Sequence, residues 1–384
     1  MKFIHLSDLH IGLKLMNYDL REDQEYILTQ ITEICREQMP DAIVIAGDIY
    51  DKAIPSAEAV EVFDAFISGL TKACPDSAIM MISGNHDSAP RVNCFRSVLS
   101  RQNVYMIGMP PQDPEEHIEQ VTLCDSFGPV HFYLLPFVRP SMVKKVVGTD
   151  ENGLNLSYNE TLHRLIEREN IEQTERNILV SHQFYLPSGT KAEDMERMDS
   201  EIRTVGNIDE VKADILTKFD YAALGHIHKP MKVGNDLFRY CGTPLACSVS
   251  EAGQQKGVIL VELGKKGEIS TEVIPLTPLR QVRRIEGELE DVLKAECGDY
   301  VSVCLTDKED LNVLDLQDRL HQAFPRLLDI RRTNIRRADY SRPLDTEKDM
   351  DPFSLCCSFI GVTMSEEEKQ LLQDVINTVT EVNV

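Results

Sequence analysis

The sequence predicts an α/β protein, and three observations support this fold class. Through residues 1–277, short apolar runs alternate with segments of helical periodicity, which is typical of layered α/β domains. Polar acids and histidines directly follow several of these runs, and open α/β sheets form their sites at the carboxyl ends of strands. The composition, with 42% hydrophobic and 27% charged residues, is that of an ordinary globular protein.

The elements of this first segment can be assigned in chain order from their periodicity. A short continuous apolar run favours a buried strand, whereas apolar residues spaced by three and four favour a helix that covers a sheet. Ile27, Ile31 and Ile34 share one helical face in this way. The predicted elements are a strand at 2–6, a helix at 21–37, a strand at 41–46, a helix at 58–70, a strand at 78–82, and strands at 130–135, 177–180, 221–224, 237–240, 258–263 and 268–274.

The pattern restarts after Pro275 and Pro278. Strands and helices are again interleaved, which predicts a compact β-α-β-α-β unit of its own. Its predicted elements are a strand at 280–285, a helix at 288–296, a strand at 300–305, a helix at 311–324 and a strand at 327–335.

A third segment begins with a polar, acidic stretch at 341–351 that is typical of a linker. An apolar patch at 353–360 and an amphipathic helix at 366–379 follow, and Ser365 with Glu368 fits a capping box at the start of this helix. The patch and the helix either pack on their own chain or dock in a groove on a partner, and we favour docking. The predicted domains are 1–277, 278–340 and 341–384.

The net charge and the cysteines restrict the possible functions. The 384 residues carry a formal net charge of −23, which argues against binding of nucleic acid through bulk positive charge but not against a local site. Arg331 and Arg332 belong to a cluster of arginines in the predicted second domain, which forms either a solvated face or a rim that contacts phosphates. The ten cysteines are scattered, and we expect reduced thiols.

The sequence also predicts a cytoplasmic protein without a membrane partner. The amino-terminal residues lack the apolar region of a signal peptide. No stretch approaches the roughly 18 apolar residues that a membrane-spanning helix needs.

Five short clusters carry residues suited to catalysis, and each follows a predicted strand. Taken singly, Asp8 and Asp48 are as easily turn acids as ligands, and His182 is more simply explained as structural. His226 and His228 favour metal binding even alone, because alternation places both side chains on one face of an extended segment. The clusters are Asp8-x-His10, Gly47-Asp48-x-x-Asp51, Gly84-Asn85-His86-Asp87, Ser181-His182 and Gly225-His226-x-His228.

Together, the five clusters are far more specific than any one of them. Their carboxylate, amide and imidazole groups form a mixed oxygen and nitrogen ligand set, which suits Mn, Fe, Zn and related ions. The set is large enough for two ions that share one carboxylate. Dinuclear sites with ions roughly 3.5–4 Å apart are suited to in-line displacement at phosphorus. The sequence thus predicts a two-metal phosphoesterase.

In this order, the clusters resemble the complete motif set of the calcineurin-like metallophosphoesterases. The resemblance implies an α/β sandwich of two sheet layers with a dinuclear site at one edge. It also implies that His86 contacts the scissile phosphate and assists the leaving group, and that Asp87 orients His86 through a hydrogen bond. His5 matches a family position but lies inside a strand, and we interpret it as structural. The implied ligands are Asp8, His10, Asp48 and His228 for the first ion, and Asp48, Asn85, His182 and His226 for the second.

Flanking segments narrow the resemblance to the SbcD family, the nuclease subunits of bacterial SbcCD complexes. The segment 278–340 occupies the place of that family's capping domain over the active site, and 341–384 occupies the place of the tail that docks on the ATPase subunit. Asp51 supports the bacterial branch, because archaeal and eukaryotic relatives carry histidine there, but its own role stays open. The segments that carry the likeness are 135–140, 220–228 and 239–244.

This resemblance implies a metal-dependent DNA nuclease, both a double-strand exonuclease and a single-strand and hairpin endonuclease. It would act in DNA end processing, replication, recombination and repair, in association with the nucleoid. Two Mn²⁺ ions per chain are implied, because several nitrogen ligands are unusual for Mg²⁺. The implied partners are DNA, a coiled-coil, SMC-like ATPase subunit of SbcC type, and a second copy of the chain, for which residues 18–34 and 55–66 are the expected dimer face.

Two other functions are compatible with the motifs. A small-substrate phosphatase or phosphodiesterase of the same superfamily would use the same ligands, but it leaves the segments after residue 277 unexplained. A non-catalytic scaffold would have lost metal binding, and the presence of every implied ligand argues against it.

Overall fold

The computed structural model describes residues 1–187, 189, 201, 209–307, 313–333, 357, 365 and 368–372. These residues belong to two units. The first lies within residues 1–305 and 311–331 and contains both large sheets, and the second lies within residues 306–310 and 332–384.

Most elements lie close to their predicted limits, and the predicted strands at 2–6, 78–82 and 300–305 match residue for residue. In the described part of the chain, the strands are β1 (Lys2–Leu6), β2 (Lys14–Leu15), β3 (Tyr18–Asp19), β4 (Ala42–Ala46), β5 (Ala78–Ile82), β6 (Val104–Ile107), β7 (Glu119–Asp125), β8 (Gly128–Leu135), β9 (Arg176–His182), β10 (Phe184–Leu186), β11 (Glu210–Lys212), β12 (Tyr221–Gly225), β13 (Met231–Val233), β14 (Asn235–Tyr240), β15 (Gly257–Leu263), β16 (Ile269–Pro275), β17 (Val282–Gly287), β18 (Tyr300–Leu305) and β19 (Arg326–Arg332). The helices are α1 (Arg21–Gln38), α2 (Ala57–Ala73), α3 (Ala89–Val92), α4 (Arg96–Leu99), α5 (Lys144–Val147), α6 (Tyr158–Glu167), α7 (Leu289–Val292) and α8 (Val313–Ala323).

The first large sheet has the strand order β16-β15-β1-β4-β5-β6. The strands β1, β4, β5 and β6 are parallel, and β15 and β16 continue the sheet as antiparallel strands. Both β4 and β5 are buried along their whole length, as expected for continuous apolar strands that are covered on both faces. The carboxyl ends of the parallel strands therefore lie side by side.

The second large sheet has the order β13-β14-β12-β9-β8-β7. Its four central strands β14, β12, β9 and β8 are parallel, and the edge strands β13 and β7 are antiparallel to their neighbours. Every residue of β9 and β12 is buried. This sheet also places several carboxyl ends along one edge.

The two sheets pack face to face, with helices on the outer faces. Phe3 of β1 contacts Phe132 of β8 edge-to-face, with ring centroids 5.4 Å apart. Along β4, Val44 belongs to the core between the sheets, whereas Ile43 and Ile45 pack in the core that includes residues of α1 and α2. On the second sheet, α6 contributes to the corresponding outer core. The predicted α/β class with two sheet layers is confirmed.

The elements that the sequence-based assignment omits include α6 and the edge strands β6 and β7. The Ser157 side chain caps α6 by accepting a hydrogen bond from the Glu160 N–H (3.1 Å), and Leu162 and Leu165 are buried. These signals are present in the sequence, but α6 has only ten residues and few apolar repeats. In β7, buried and exposed residues are mixed because the strand forms the edge of its sheet.

A third sheet with the order β17-β18-β19 has its own apolar core. The order β17, α7, β18, α8 and β19 matches the predicted β-α-β-α-β pattern. The predicted helix at 288–296 is only α7 followed by a short 3-10 segment, Leu293–Ala295. The Tyr300 hydroxyl donates to Oδ2 of Asp23 (2.8 Å), which joins this small sheet to α1.

Most of the predicted tail lies outside the described residues. Ser365 and Glu368 form the predicted capping box, since the Ser365 N–H donates to Oε2 of Glu368 (2.7 Å) and the Glu368 N–H donates to Oγ of Ser365 (3.3 Å). Residues 368–372 are helical, and the remainder of the predicted helix at 366–379 is not described. Among the described residues, no helix is both long enough and apolar enough to span a membrane.

Candidate metal centre

The five clusters meet at one edge of the sandwich. The first three follow β1, β4 and β5 of the first sheet, and the last two lie at the ends of β9 and β12 of the second. Contact between the two groups is direct, because Nε2 of His182 lies 3.3 Å from Oδ2 of Asp48. The carboxyl ends of both sheets therefore build a single site.

The backbone at this edge is strained. Non-glycine residues rarely adopt positive φ angles, and each costs roughly 1–3 kcal/mol unless its surroundings impose it. Here the conformations are held by hydrogen bonds between loops, from the Asp8 N–H to the Gly47 carbonyl and from the His10 N–H to the Asp48 carbonyl (both 3.0 Å). The predicted ligands with positive φ are Asp8 (53°), His10 (43°), Asp48 (49°) and His226 (101°).

All three glycines in the clusters are required by close approach, and a Cβ atom at Gly47 would lie 2.3 Å from Nδ1 of His182. A Cβ atom at Gly84 would lie 2.1 Å from Oδ1 of Asp48, and one at Gly225 would lie 1.9 Å from the carbonyl oxygen of Ala46. The same Oδ1 accepts a hydrogen bond from the His86 N–H (2.8 Å). Any side chain at position 84 would therefore displace the Asp48 carboxylate.

Asp8, His10 and His228 form the first half of the centre. Each offers one ligand atom, and these atoms all lie within 4.8 Å of one another. Nε2 of His10 is 3.1 Å from Nε2 of His228 and 3.7 Å from Oδ2 of Asp48. Oδ1 of Asp8 accepts a hydrogen bond from the His226 N–H (2.9 Å).

Asn85, His182 and His226 form the second half. Oδ1 of Asn85 lies 3.0 Å from Nε2 of His182 and 2.8 Å from Nδ1 of His226. Nδ1 of His182 faces the carbonyl of Ala46 at 2.8 Å, so Nδ1 carries a proton and Nε2 is the nitrogen that faces the centre. Oδ2 of Asp48 reaches both halves, 3.7 Å from Nε2 of His10 and 3.3 Å from Nε2 of His182.

The arrangement fits divalent cations. Oδ2 of Asp8 is a buried carboxylate oxygen, and within the described ranges it has no hydrogen-bond partner. Burying a charged oxygen without compensation is costly, and a cation would supply that compensation. The donor atoms are imidazole nitrogens and carboxylate or amide oxygens, the mixed set that suits first-row metal ions.

Charges inside the centre are strongly coupled. Burial raises the pKa of Asp8. Burial acts in the same direction on Asp48, but His182 and His10 outweigh it and hold the pKa of Asp48 below its usual value. Burial opposes protonation of His182, yet the Asp48 carboxylate raises the pKa of His182 to about 9. A divalent cation would therefore compete with the proton of His182.

His86 lies beside the centre but is held differently from the expectation. The prediction that Asp87 orients His86 through a hydrogen bond is wrong, since Nδ1 of His86 faces the backbone carbonyl of Asp51 at 2.9 Å. The Asp87 carboxylate instead joins the loops after β4 and β5, and burial raises its pKa to about 6. Its donors are the backbone N–H groups of Ile49 (3.0 Å), Tyr50 (2.9 Å) and Gly84 (2.9 Å).

Comparison with known proteins identifies the family. Residues 1–230 match the calcineurin-like phosphoesterases, and residues 278–359 match the type 5 capsule protein repressor C-terminal domain. The SbcD component of the nuclease SbcCD from Staphylococcus epidermidis is 31% identical over 335 residues, which cover 85% of this chain and 84% of the relative. The chain belongs to the SbcD family of calcineurin-like phosphoesterases.

A second SbcD-family relative agrees with this assignment. The SbcD component of the nuclease SbcCD from Staphylococcus saprophyticus is 33% identical over 303 residues, covering 77% of this chain and 74% of the relative. Among solved structures, a dimetal phosphatase from Danio rerio is 12% identical, covers 73% of this chain and 98% of its own, and has a TM-score of 0.38. Membership of the family makes the chain a phosphodiester hydrolase.

Several residues that support the ligands lie outside the five clusters. The side chain of Gln24 donates to the carbonyl of His10 (2.7 Å), and the ring of Phe137 stacks on His226 with centroids 6.3 Å apart. Glu251 lies behind His228. These residues are distant in sequence from the clusters, so only the fold brings them to the site. Phe137 alone had a signal, since it lies in the family-like segment 135–140.

Two further predictions concern residues away from the centre. His5 is buried, its Nδ1 lies 3.0 Å from the Tyr221 hydroxyl, and burial lowers its pKa to about 3, which agrees with a structural role. Arg331 and Arg332 end β19, and Nε of Arg331 donates to Oδ2 of Asp329 (2.7 Å). Contact of these arginines with DNA stays a prediction.

Proposed function

We propose that the chain is the metal-dependent nuclease subunit of an SbcCD-type complex and hydrolyses phosphodiester bonds at DNA ends and hairpins. Support comes from membership of the SbcD family and from the site. The observation that carries the proposal is the convergence of carboxylate, amide and imidazole atoms around Asp48, beside a buried and uncompensated oxygen of Asp8.

Two divalent ions are proposed for this centre, with Mn²⁺ in both positions. The ions supply Lewis-acid stabilisation of the negative charge that develops on the phosphoryl oxygens. Several imidazole ligands favour Mn²⁺ over Mg²⁺, which prefers oxygen ligands and keeps much of its water. The proposed ligands of the first ion are Asp8, His10, Asp48 and His228, and those of the second are Asp48, Asn85, His182 and His226.

His86 is proposed to act on the substrate. A carbonyl oxygen only accepts hydrogen bonds, so the contact with Asp51 requires that Nδ1 of His86 carries a proton. Nε2 is then the atom available to the scissile phosphate and, when protonated, to the leaving oxygen. The His86 ring packs against His10 with centroids 4.8 Å apart and is only partly buried. In this arrangement, Asp87 positions His86 by holding the backbone of the two loops and makes no hydrogen bond to the His86 ring.

The other parts of the chain are proposed to serve DNA and protein partners. Residues 278–340 form a capping domain in which Arg331 and Arg332 contact phosphates, and residues 341–384 dock on an SbcC-type ATPase subunit. A homodimer through residues 18–34 and 55–66 is proposed, and Tyr26 and Val60 of α1 and α2 are exposed there. We propose that the protein acts with the nucleoid, in replication, recombination and repair.

The test compares wild type with His86→Ala in a nuclease assay with Mn²⁺, using duplex ends, hairpins and single strands. Because His86 is not a proposed ligand, the variant should bind two ions as wild type does but cleave at least about 100-fold more slowly. Separate substrates would report the balance of exonuclease and endonuclease activity.

The same assay distinguishes the alternative function. Wild-type protein that hydrolyses aryl phosphates or nucleotides rapidly and leaves DNA uncut would identify a small-substrate phosphoesterase. His86→Ala protein that binds metal and cuts DNA at the wild-type rate would contradict the role of His86.

A further inference from the structure

A buried carboxylate faces the metal centre from behind the proposed ligands. Glu251 ends the short 3-10 helix Val249–Glu251, and its side chain is 0% exposed. Its Oε1 lies 3.6 Å from Nδ1 of His228. Nε2 of the same imidazole lies 3.1 Å from Nε2 of His10, inside the centre. The two nitrogens of His228 therefore face a carboxylate on one side and the proposed ion on the other.

The Glu251 carboxylate is fixed in place by several donors. Oε2 accepts hydrogen bonds from Oγ1 of Thr243 (2.9 Å) and Nζ of Lys256 (2.7 Å). Oε1, the oxygen nearer to His228, accepts one from Oγ of Ser248 (3.1 Å). Lys256 also donates to the carbonyl of His228 (3.0 Å), so one cation holds both the carboxylate and the backbone of the ligand. A carboxylate and a backbone that are held in this way limit the rotation of the His228 ring.

We propose that Glu251 is a positioning residue for His228. With the ion bound, Oε1 of Glu251, 3.6 Å from Nδ1 in this structure, would accept a hydrogen bond from the Nδ1–H, which leaves the lone pair of Nε2 for the first proposed ion. Histidines that bind metals commonly donate their other N–H to a carboxylate, which orients the ring and makes it a stronger ligand. This inference rests on the proposed metal centre and adds to it a residue from outside the five clusters.

A second buried ion pair offers a matched comparison. Asp125 and Arg176 lie 2.6 Å apart at the start of β9, and the Arg176 side chain is 4% exposed. Arg176 and His182 are the first and last residues of β9, so this pair lies about 20 Å from the centre. Removing it should disturb the fold without touching a proposed ligand.

The experiment is a titration of the metal-free chain with Mn²⁺. Binding is measured by calorimetry and by the electron paramagnetic resonance signal of free Mn²⁺. Glu251→Gln keeps the shape of the side chain and removes its charge. The double variant Glu251→Gln/Lys256→Met removes both charges of the pair, so neither is left buried without the other, and we expect it to fold. Asp125→Asn/Arg176→Met is the control.

Both Glu251 variants should raise the dissociation constant of one ion by about 10-fold or more and leave the other within about twofold. The control should bind both ions as wild type does, even if it unfolds at lower denaturant. Wild-type affinity for both ions in the double variant would overturn the inference. The inference would also be overturned if the double variant and the control both bound the two ions more weakly and to the same extent. That result would indicate general destabilisation. A wild-type chain that binds no Mn²⁺ would instead overturn the proposed function itself.

Discussion

Arg176 and His182 are the first and last residues of β9, yet their surroundings differ in kind. At the amino end, the guanidinium of Arg176 donates to both carboxylate oxygens of Asp125, at 2.6 and 2.9 Å. It also donates to the carbonyls of Gly128 and Gly264. The Met1 ammonium also pairs with Oδ2 of Asp125 (2.8 Å), so every charge in this group has a partner.

At the carboxyl end, carboxylates and imidazoles lie close together without matched partners. Asp8 keeps a buried oxygen that no group in the described part of the chain contacts by a hydrogen bond. His10 and His228 bring two nitrogens to 3.1 Å, and four of the proposed ligands have positive φ angles. The amino end of β9 therefore stabilises the fold, whereas the carboxyl end retains strain and uncompensated charge for binding.

Asp48→Asn should have the largest effect, because Asp48 is the ligand that both proposed ions share. We expect fewer than one bound ion per chain and a loss of nuclease activity greater than about 100-fold. Metal analysis after gel filtration and an assay with Mn²⁺ measure both quantities. Asp125→Asn, the same change at the amino end, should keep both ions. Two tightly bound ions in Asp48→Asn protein would show that Asp48 is not the ligand shared by the two ions.

Arg176→Met should be the opposite case. It leaves the Met1 ammonium as the cation paired with Asp125 and removes the donor of two carbonyls, so the free energy of unfolding should fall by about 2 kcal/mol. Urea unfolding followed by circular dichroism measures this change. The affinity for Mn²⁺ should not change under native conditions. A weakened metal centre with unchanged stability would reverse the roles assigned to the two ends.

Gly84→Ala tests the close packing of the carboxyl end. Its Cβ would lie 2.1 Å from Oδ1 of Asp48, so the carboxylate must move and Mn²⁺ affinity should fall by about 10-fold. Gly298→Ala is the control, because the atom nearest to its Cβ is 3.8 Å away. Equal affinities in the two variants would show that the site tolerates this displacement.

Asp8→Asn should have the smallest effect on stability and is expected to be favourable. Burial raises the pKa of Asp8, so the ionised group opposes folding at neutral pH, and removing its charge should stabilise the metal-free protein by about 1 kcal/mol. Urea unfolding in the presence of EDTA measures this difference. Clear destabilisation would show that the carboxyl end is as well compensated as the amino end.

Much of the architecture could be predicted because local patterns determine it. Fully buried parallel strands such as β4, β5 and β12 appear as continuous apolar runs, and the ligand clusters follow them directly. The edge strand β7 and the short helix α6 were missed because their patterns are weak. Residues 341–384 lie mostly outside the described residues, so the tail stays a prediction.

Within the centre, the sequence predicted residue identities better than contacts. The clustering of Asp48 and His182 could be inferred, but the partner of His86 could not, because it is a backbone carbonyl. Asp87 accepts hydrogen bonds from N–H groups of two loops, and these groups converge only in the folded backbone. Glu251 follows no cluster, and its position behind His228 depends on the packing of the whole sheet edge.

The most direct test of the central claim is the electron paramagnetic resonance spectrum of the chain loaded with Mn²⁺. Asp48 lies 3.7 Å from His10 and 3.3 Å from His182, so its carboxylate would be shared by the two proposed ions. At roughly 3.5–4 Å, two Mn²⁺ ions couple magnetically, and the spectrum should be that of an exchange-coupled pair at two ions per chain. A spectrum of isolated Mn²⁺ at saturation, or binding of a single ion, would contradict a dinuclear centre at the carboxyl ends of these strands.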